Sequence, residues 1–224
     1  MDILIRSSSH HLAALFRAAL LASLFTLAGC SSGTQVFPTL QEQVVSLRAG
    51  DLEASGIAFI TPSATTGQEE EKQAVALVFA KVLKQARPRV RLVTLSETLS
   101  AINKVGLGDV YKRMYDDYRD TGLFKRDILR QVGDLTGARF VAHVKLQAFG
   151  QGAKERFGML GFRIVETRTA NVRLFVQIWD SRDGTVAWEA MQEMLYSQER
   201  VSEEPVTLSL VITKIAGNII AKLP

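Results

Sequence analysis

The sequence predicts an α/β fold: a single domain with a mixed sheet and three long C-terminal antiparallel strands packed against helices. Three observations predict it. Short apolar runs first alternate with helical patterns of period 3.6, the opening of an α/β unit. After Gly137 the period changes to two for three long stretches. A last apolar helix closes the chain. The 224 residues divide at 1–29, 30–51 and 52–224, a length that suits one domain behind a targeting segment and a tether.

The targeting segment comes first. Arg6 and Arg17 precede an apolar run from Ala18 to Ala28, which has the length of a signal-peptide hydrophobic region and is too short to span a bilayer. Leu27-Ala28-Gly29-Cys30 matches, in every position, the lipobox cut by lipoprotein signal peptidases, and Cys30 is the only cysteine, so its expected role is lipidation. Thioether and amide acylation together supply more than one chain, and at about 0.8 kcal/mol per buried methylene that anchor is stable. Serine rather than aspartate at position 31 is similar to the sorting pattern of outer-membrane lipoproteins. The expected location is the outer membrane, lipid-anchored on the periplasmic face.

Ser31 to about Gly50 reads as a tether that docks at most in part. Gly56 to Ile60 is a buried-strand run. The following helix has Thr66 and Glu69 at capping-box spacing, acidic residues 69–71 at its positive end, and Val75, Val78, Phe79, Val82 and Ala86 on one face. Val90 to Val93 is a second strand. Thr94 and Glu97 open a further helix that ends near Gly106. Helices over 108–120 and 125–136 follow, the second stopped by Gly137.

Phe140, Ala142, Val144, Leu146 and Ala148 then alternate with Val141, His143, Lys145 and Gln147, a strand with one packed and one mixed face. Gly150 to Gly161 reads as a glycine-rich loop, Ala170 to Ile178 as a second long strand, and Asp180 to Gly184 as a hairpin turn. A third strand returns from Thr185 to about Leu195. In the last helix Pro205 suits the first turn, and Leu208, Val211, Ile212, Ile215 and Ile219 face the sheet.

Two stretches carry a resemblance. Leu135-Thr136-Gly137-Ala138-Arg139-Phe140-Val141 and Ile178 to Trp188, with this element order, resemble the periplasmic domain shared by the curli secretion channel lipoprotein, the lipoprotein activators of penicillin-binding proteins and the amino-terminal domain of the Tol translocation protein. The resemblance covers roughly residues 52 to 222. It implies envelope-protein partners, in some members a ring of identical subunits, and no cofactor. Two departures narrow it: the 150–162 insert is short for a channel strand pair, and a tether of some twenty residues is short for an activator arm.

Composition and motifs point the same way. The net charge of +4 becomes +3 once Arg6, Arg17 and Asp2 are removed, the basic residues are interspersed with acids, and no nucleic-acid motif is present. Removal of the leader leaves one histidine, His143, read as a surface or edge residue, so neither a histidine-rich metal site nor a Cys/His pair can form in one chain. Phosphate-loop, nucleophile-elbow and zincin motifs are missing. Asp116 and Asp117 are adjacent on a helix and point about 100° apart, as solvated residues do.

The expectation is a protein without catalytic residues: an accessory or scaffold subunit of an envelope assembly, secretion or polysaccharide-export system. The alternatives are a monomeric regulator of a peptidoglycan synthase and an envelope enzyme built on carboxylates alone. The expected partner-binding residues are Phe157, Met159, Leu160 and Phe162 of the 150–162 loop, which could equally fold onto the core. Tyr111, Tyr115 and Tyr118 form a helical stripe whose spacing favours burial and which, half exposed, would offer aromatic anchors.

Overall fold

The computed structural model describes residues 34–64, 69–159, 162–200 and 206–224, with the backbone alone along 153–166 and 199–200. Cys30, Thr66, Leu160 and Pro205 therefore lie outside the described residues, and of Phe157, Met159 and Phe162 only the strand course is given.

A seven-stranded sheet forms the centre, in the order β1-β7-β6-β5-β2-β4, with β3 pairing β5 off that path. Its strands are β1 (Thr34–Val44), β2 (Ile57–Phe59), β3 (Ser63–Ala64), β4 (Leu92–Val93), β5 (Phe140–Met159), β6 (Phe162–Asp180) and β7 (Thr185–Arg200). The parallel pairs are β2 with β4, β2 with β5 and β3 with β5, while β5, β6, β7 and β1 form an antiparallel series. The helices are α1 (Asp51–Ser55), α2 (Glu69–Ala86), α3 (Leu95–Lys104), α4 (Gly108–Thr121), α5 (Arg126–Thr136) and α6 (Leu208–Ile220).

The anticipated α/β class and the three long antiparallel strands are present, and local chemistry explains most boundaries. In α3, Thr94 Oγ1 accepts the Glu97 amide at 3.4 Å and the Glu97 carboxylate accepts the Thr94 amide at 2.7 Å, a reciprocal capping box. Gly137 takes the left-handed conformation that ends α5, and Arg91 donates to the freed carbonyls of Thr136 and Gly137. The α6 helix starts at Leu208, where Thr207 Oγ1 accepts the Leu210 amide.

One expectation is made specific and two need correction. The tether, expected to dock in part, does so over Thr34 to Val44, an edge strand paired residue by residue with β7, because its alternating apolar residues extend the sheet. Gly150, Gly152 and Gly158 lie in a strand and not in a loop: β5 runs to Met159 and β6 starts at Phe162, with Met159 and Phe162 paired. Cross-strand pairing on the β6 side carries this segment past its glycines, with register shifts at 146/148, 155/157 and 157/158 absorbing the irregularity. The second strand is also shorter than expected, Leu92–Val93 rather than 90–93.

Two cores lie on opposite faces of the sheet. On one, α2 and α6 bury Val75, Phe79, Ile212, Ile215 and Ile219 against Val172, Leu174 and Trp188. On the other, α3, α4 and α5 bury Ile102, Met114, Leu129 and Val132 against Val141 and Trp179. Among the described residues, this second layer covers only the end of the sheet near Phe140 and Asp180.

Gly184 closes the β6–β7 turn with φ of 76°, and a Cβ placed there would sit 2.9 Å from the Arg126 Cα. Strain and overlap together predict that Gly184→Ala lowers stability by about 2 kcal/mol or more, read as a shift in the urea midpoint at unchanged slope.

Candidate functional site

His143 sits at the centre of the second core. It was expected at a surface or edge, but α4 and the Leu123–Lys125 connection cover it, and it is fully buried. Its Nε2 lies 3.0 Å from Ser63 Oγ, while Nδ1 has no hydrogen-bond partner among the described residues. The rings of Tyr118, Phe124 and Tyr115 stand edge-on to the imidazole at 4.8, 5.1 and 6.2 Å. Burial, reinforced by the neighbouring Lys145 charge, pushes the imidazole pKa down to about 3, so the ring is neutral near pH 7.

The tyrosine stripe belongs to the same region. Tyr111 is buried and accepts the Thr61 amide at 2.9 Å; Tyr115 donates to the Thr61 carbonyl at 2.8 Å; the two hydroxyls are 3.1 Å apart. Tyr118 donates to Gln177, whose amide donates to Glu189. Burial raises the pKa of all three phenols, that of Tyr115 most clearly. These hydroxyls therefore bind α4 to the sheet as neutral groups. The stripe is engaged inside the domain, as its helical spacing favoured.

At the opposite edge of this layer the two sequence signatures meet. Arg139 donates to Asp180 through Nε at 2.8 Å and Nη2 at 2.6 Å, and the Ser181 amide donates to the Arg139 carbonyl at 2.9 Å. Arg139 and Ser181 line an open cleft of about 540 Å³ with Glu53, Arg91, Asp134 and Arg182. Two of its three guanidiniums are already committed, Arg139 to Asp180 and Arg91 to the end of α5.

Carboxylates with resolved shifts are all moved downward. Backbone and side-chain hydrogen bonds from Thr94 hold Glu97 low, those from Thr185 hold Asp183 low, and Arg173 and Asn171 do the same for Glu193. Asp116 and Asp117 lie in surface ion pairs with Arg119 and Lys125. Among the described residues no cluster of metal-ligating groups occurs, and no helix is long and apolar enough to cross a membrane.

Among the described residues, the half of the second sheet face away from α4 carries exposed side chains. Phe37 and Leu195 face each other across β1 and β7, 60% and 42% exposed, and the next row beyond Thr39 holds Arg173 paired with Glu193 at 2.8 Å. Sequence reasoning missed this surface because it treated Thr34 to Val44 as tether. The signal available was the alternation Val36, Pro38, Leu40 against Phe37, Thr39, Gln41.

No family model matches the sequence, and no curated protein matches it. The fold is similar to solved structures at low identity. One is the PelC dodecamer from Paraburkholderia phytofirmans, with TM-score 0.45 and 13% identity over 84% of this chain and 97% of that one. Others are lipoprotein GNA1162 from Neisseria meningitidis (0.37, 10%, 75% and 99%) and the LpoB C-terminal domain from Salmonella enterica (0.33, 12%, 62% and 82%).

The His143 environment predicts a pH dependence. An unfolded histidine titrates near 6.5 and the folded one near 3, so between these values the unfolded chain binds the extra proton. The histidine's contribution is complete above about pH 6.5 and is lost as the pH falls toward 3. Denaturant midpoints of the wild type should drop across that window, and those of His143→Gln should drop less.

Proposed function

We propose that this chain is a lipid-anchored envelope protein that works by binding, as an accessory or scaffold subunit of an envelope assembly, secretion or polysaccharide-export system. In this reading Cys30 carries the lipid, the outer membrane holds it, and the domain faces the periplasm. The observation that carries the reading is the complete lipobox at Leu27 to Cys30, followed within four residues by the first residue of β1. A domain whose sheet begins so close to its acylated cysteine is suited to a fixed post at a membrane and unsuited to reaching across a compartment.

The chemistry of the interior supports binding over catalysis. Its histidine is neutral and walled in by aromatic rings, and its tyrosine hydroxyls serve as internal ties. Among the described residues, a sheet face and a strand edge are exposed, elements through which proteins recognise other proteins.

The test is made in cells. Wild-type protein is expected in the membrane fraction, released by detergent and not by salt, with a mass increased by acylation at Cys30. Cys30→Ala should accumulate as uncleaved precursor. A processed, unacylated wild-type protein in the soluble fraction would sink the reading. Crosslinking before extraction then separates the modes of action: ladders of this chain indicate a homo-oligomeric scaffold, and a crosslink to another envelope protein indicates docking.

A further inference from the structure

The cleft between the end of α5 and the β6–β7 turn holds charges that the fold does not use. Its walls come from separate chain segments tied to one another by backbone hydrogen bonds. The Arg139 amide donates to the Ser55 carbonyl at 3.1 Å, the Ser181 amide to the Arg139 carbonyl at 2.9 Å, and the Ile57 amide to the Arg91 carbonyl at 2.9 Å. The shape is built before any ligand arrives, which lowers the ordering cost of binding. Its volume, about 540 Å³, is that of a small-molecule site.

Most of the charge around the cleft is accounted for. Arg139 forks onto Asp180, Glu53 pairs with Arg87 at 3.5 Å, and Arg91 caps the end of α5. Arg182 and Asp134 remain. Both line the cleft, both are exposed, and neither side chain has a hydrogen bond or ion pair among the described residues. Asp134 also breaks a local rule. It stands in the last turn of α5, which holds no basic residue of its own, at the negative end of the helix dipole. Such a break without a compensating contact in the fold is where a functional role is expected. Ser181 adds a second irregularity: it lines the cleft, is 4% exposed, and its hydroxyl has no hydrogen-bond partner among the described residues.

A cation, an anion and a free hydroxyl around one polar hollow describe what would fill it. A carboxylate fits the guanidinium fork of Arg182. An ammonium group answers the carboxylate of Asp134. Asp134 repels a purely anionic ligand and Arg182 a purely cationic one, so the cleft selects a ligand that carries both signs. We propose that this cleft binds a small zwitterion, the chemistry of an amino acid or of a short peptide with both ends free, with its carboxylate on Arg182 and its ammonium group on Asp134. The inference is independent of the lipidation of Cys30.

The test uses the full-length mature protein and saturation-transfer NMR, which reads weak binding from the signals of the ligand. The probes are glycine, diglycine, triglycine and tetraglycine, which share the same charged ends and differ in the span between them. Saturable transfer with a preference for one length is expected; glycine as the preferred probe indicates a free amino acid, and a longer member indicates a peptide. The preferred probe is then compared with its acetylated form, which lacks the ammonium group, and its amidated form, which lacks the carboxylate. Each should bind several-fold more weakly. Arg182→Ala and Asp134→Asn should each weaken binding by a similar factor, and Arg182→Lys should keep part of it. Because both side chains are exposed, all three variants are expected to unfold at the wild-type temperature.

The proposal is overturned by the absence of transfer from every probe up to its solubility limit, by equal binding of either blocked form, or by unchanged binding in Arg182→Ala and Asp134→Asn. The comparison of free and blocked probes is made on the wild type, so it decides the matter even where a variant fails to fold.

Discussion

The architecture depends on the pairing of β5 with β6. These are the two longest strands of the sheet, and from Phe140 to Leu146 their register decides which side chains enter which core. In the observed register Ala142 and Ile178 face α2 and α6, while His143 and Trp179 face α4 and α5. A slip of one residue would exchange the two sets and place the imidazole among the aliphatic groups of the larger core. The Arg139–Asp180 pair guards against the slip where the ladder begins: two guanidinium nitrogens meet one carboxylate beside the Phe140–Asp180 pair. The fork fits its partner in a single arrangement.

Each core complements this pairing differently. Around Trp188 the contacts are almost wholly apolar and rely on shape. Around His143 they are mixed, and hydrogen bonds specify which way α4 lies: Tyr111 and Tyr115 both reach the backbone of Thr61, and Tyr118 reaches Gln177. A directional network of this kind fixes orientation as well as stability. It holds the second helical layer at one end of the sheet.

Much of this was legible in the sequence. The change of period after Gly137, the Thr94–Glu97 capping box and the Asp180–Gly184 turn are local signals, and each is realised where local chemistry placed it. The errors concern residues whose state is set by distant partners. His143 looks polar within its strand, yet its burial is decided by Phe124 and Tyr118, neither within ten positions of it. Gly150 and Gly152 look like loop residues, yet pairing with Asn171 and Thr169 holds them in the ladder. Thr34 to Val44 looks like linker, yet a strand more than 140 residues later recruits it. For the candidate site, the sequence contained the chemistry at Cys30 and a tyrosine spacing that favoured burial, but not the partners of those tyrosines, Thr61 and Gln177, which lie some fifty residues or more away.

The placement of β1 has a mechanical consequence. The chain enters the domain at Thr34 and runs antiparallel to β7 as far as Val44. A pull through Cys30 along the strand axis therefore loads the β1–β7 hydrogen bonds side by side, in shear, and does not open them one after another from an end. Bonds loaded in parallel share the force, so the strand that follows the proposed lipid anchor is also the strand arranged to resist extraction under load.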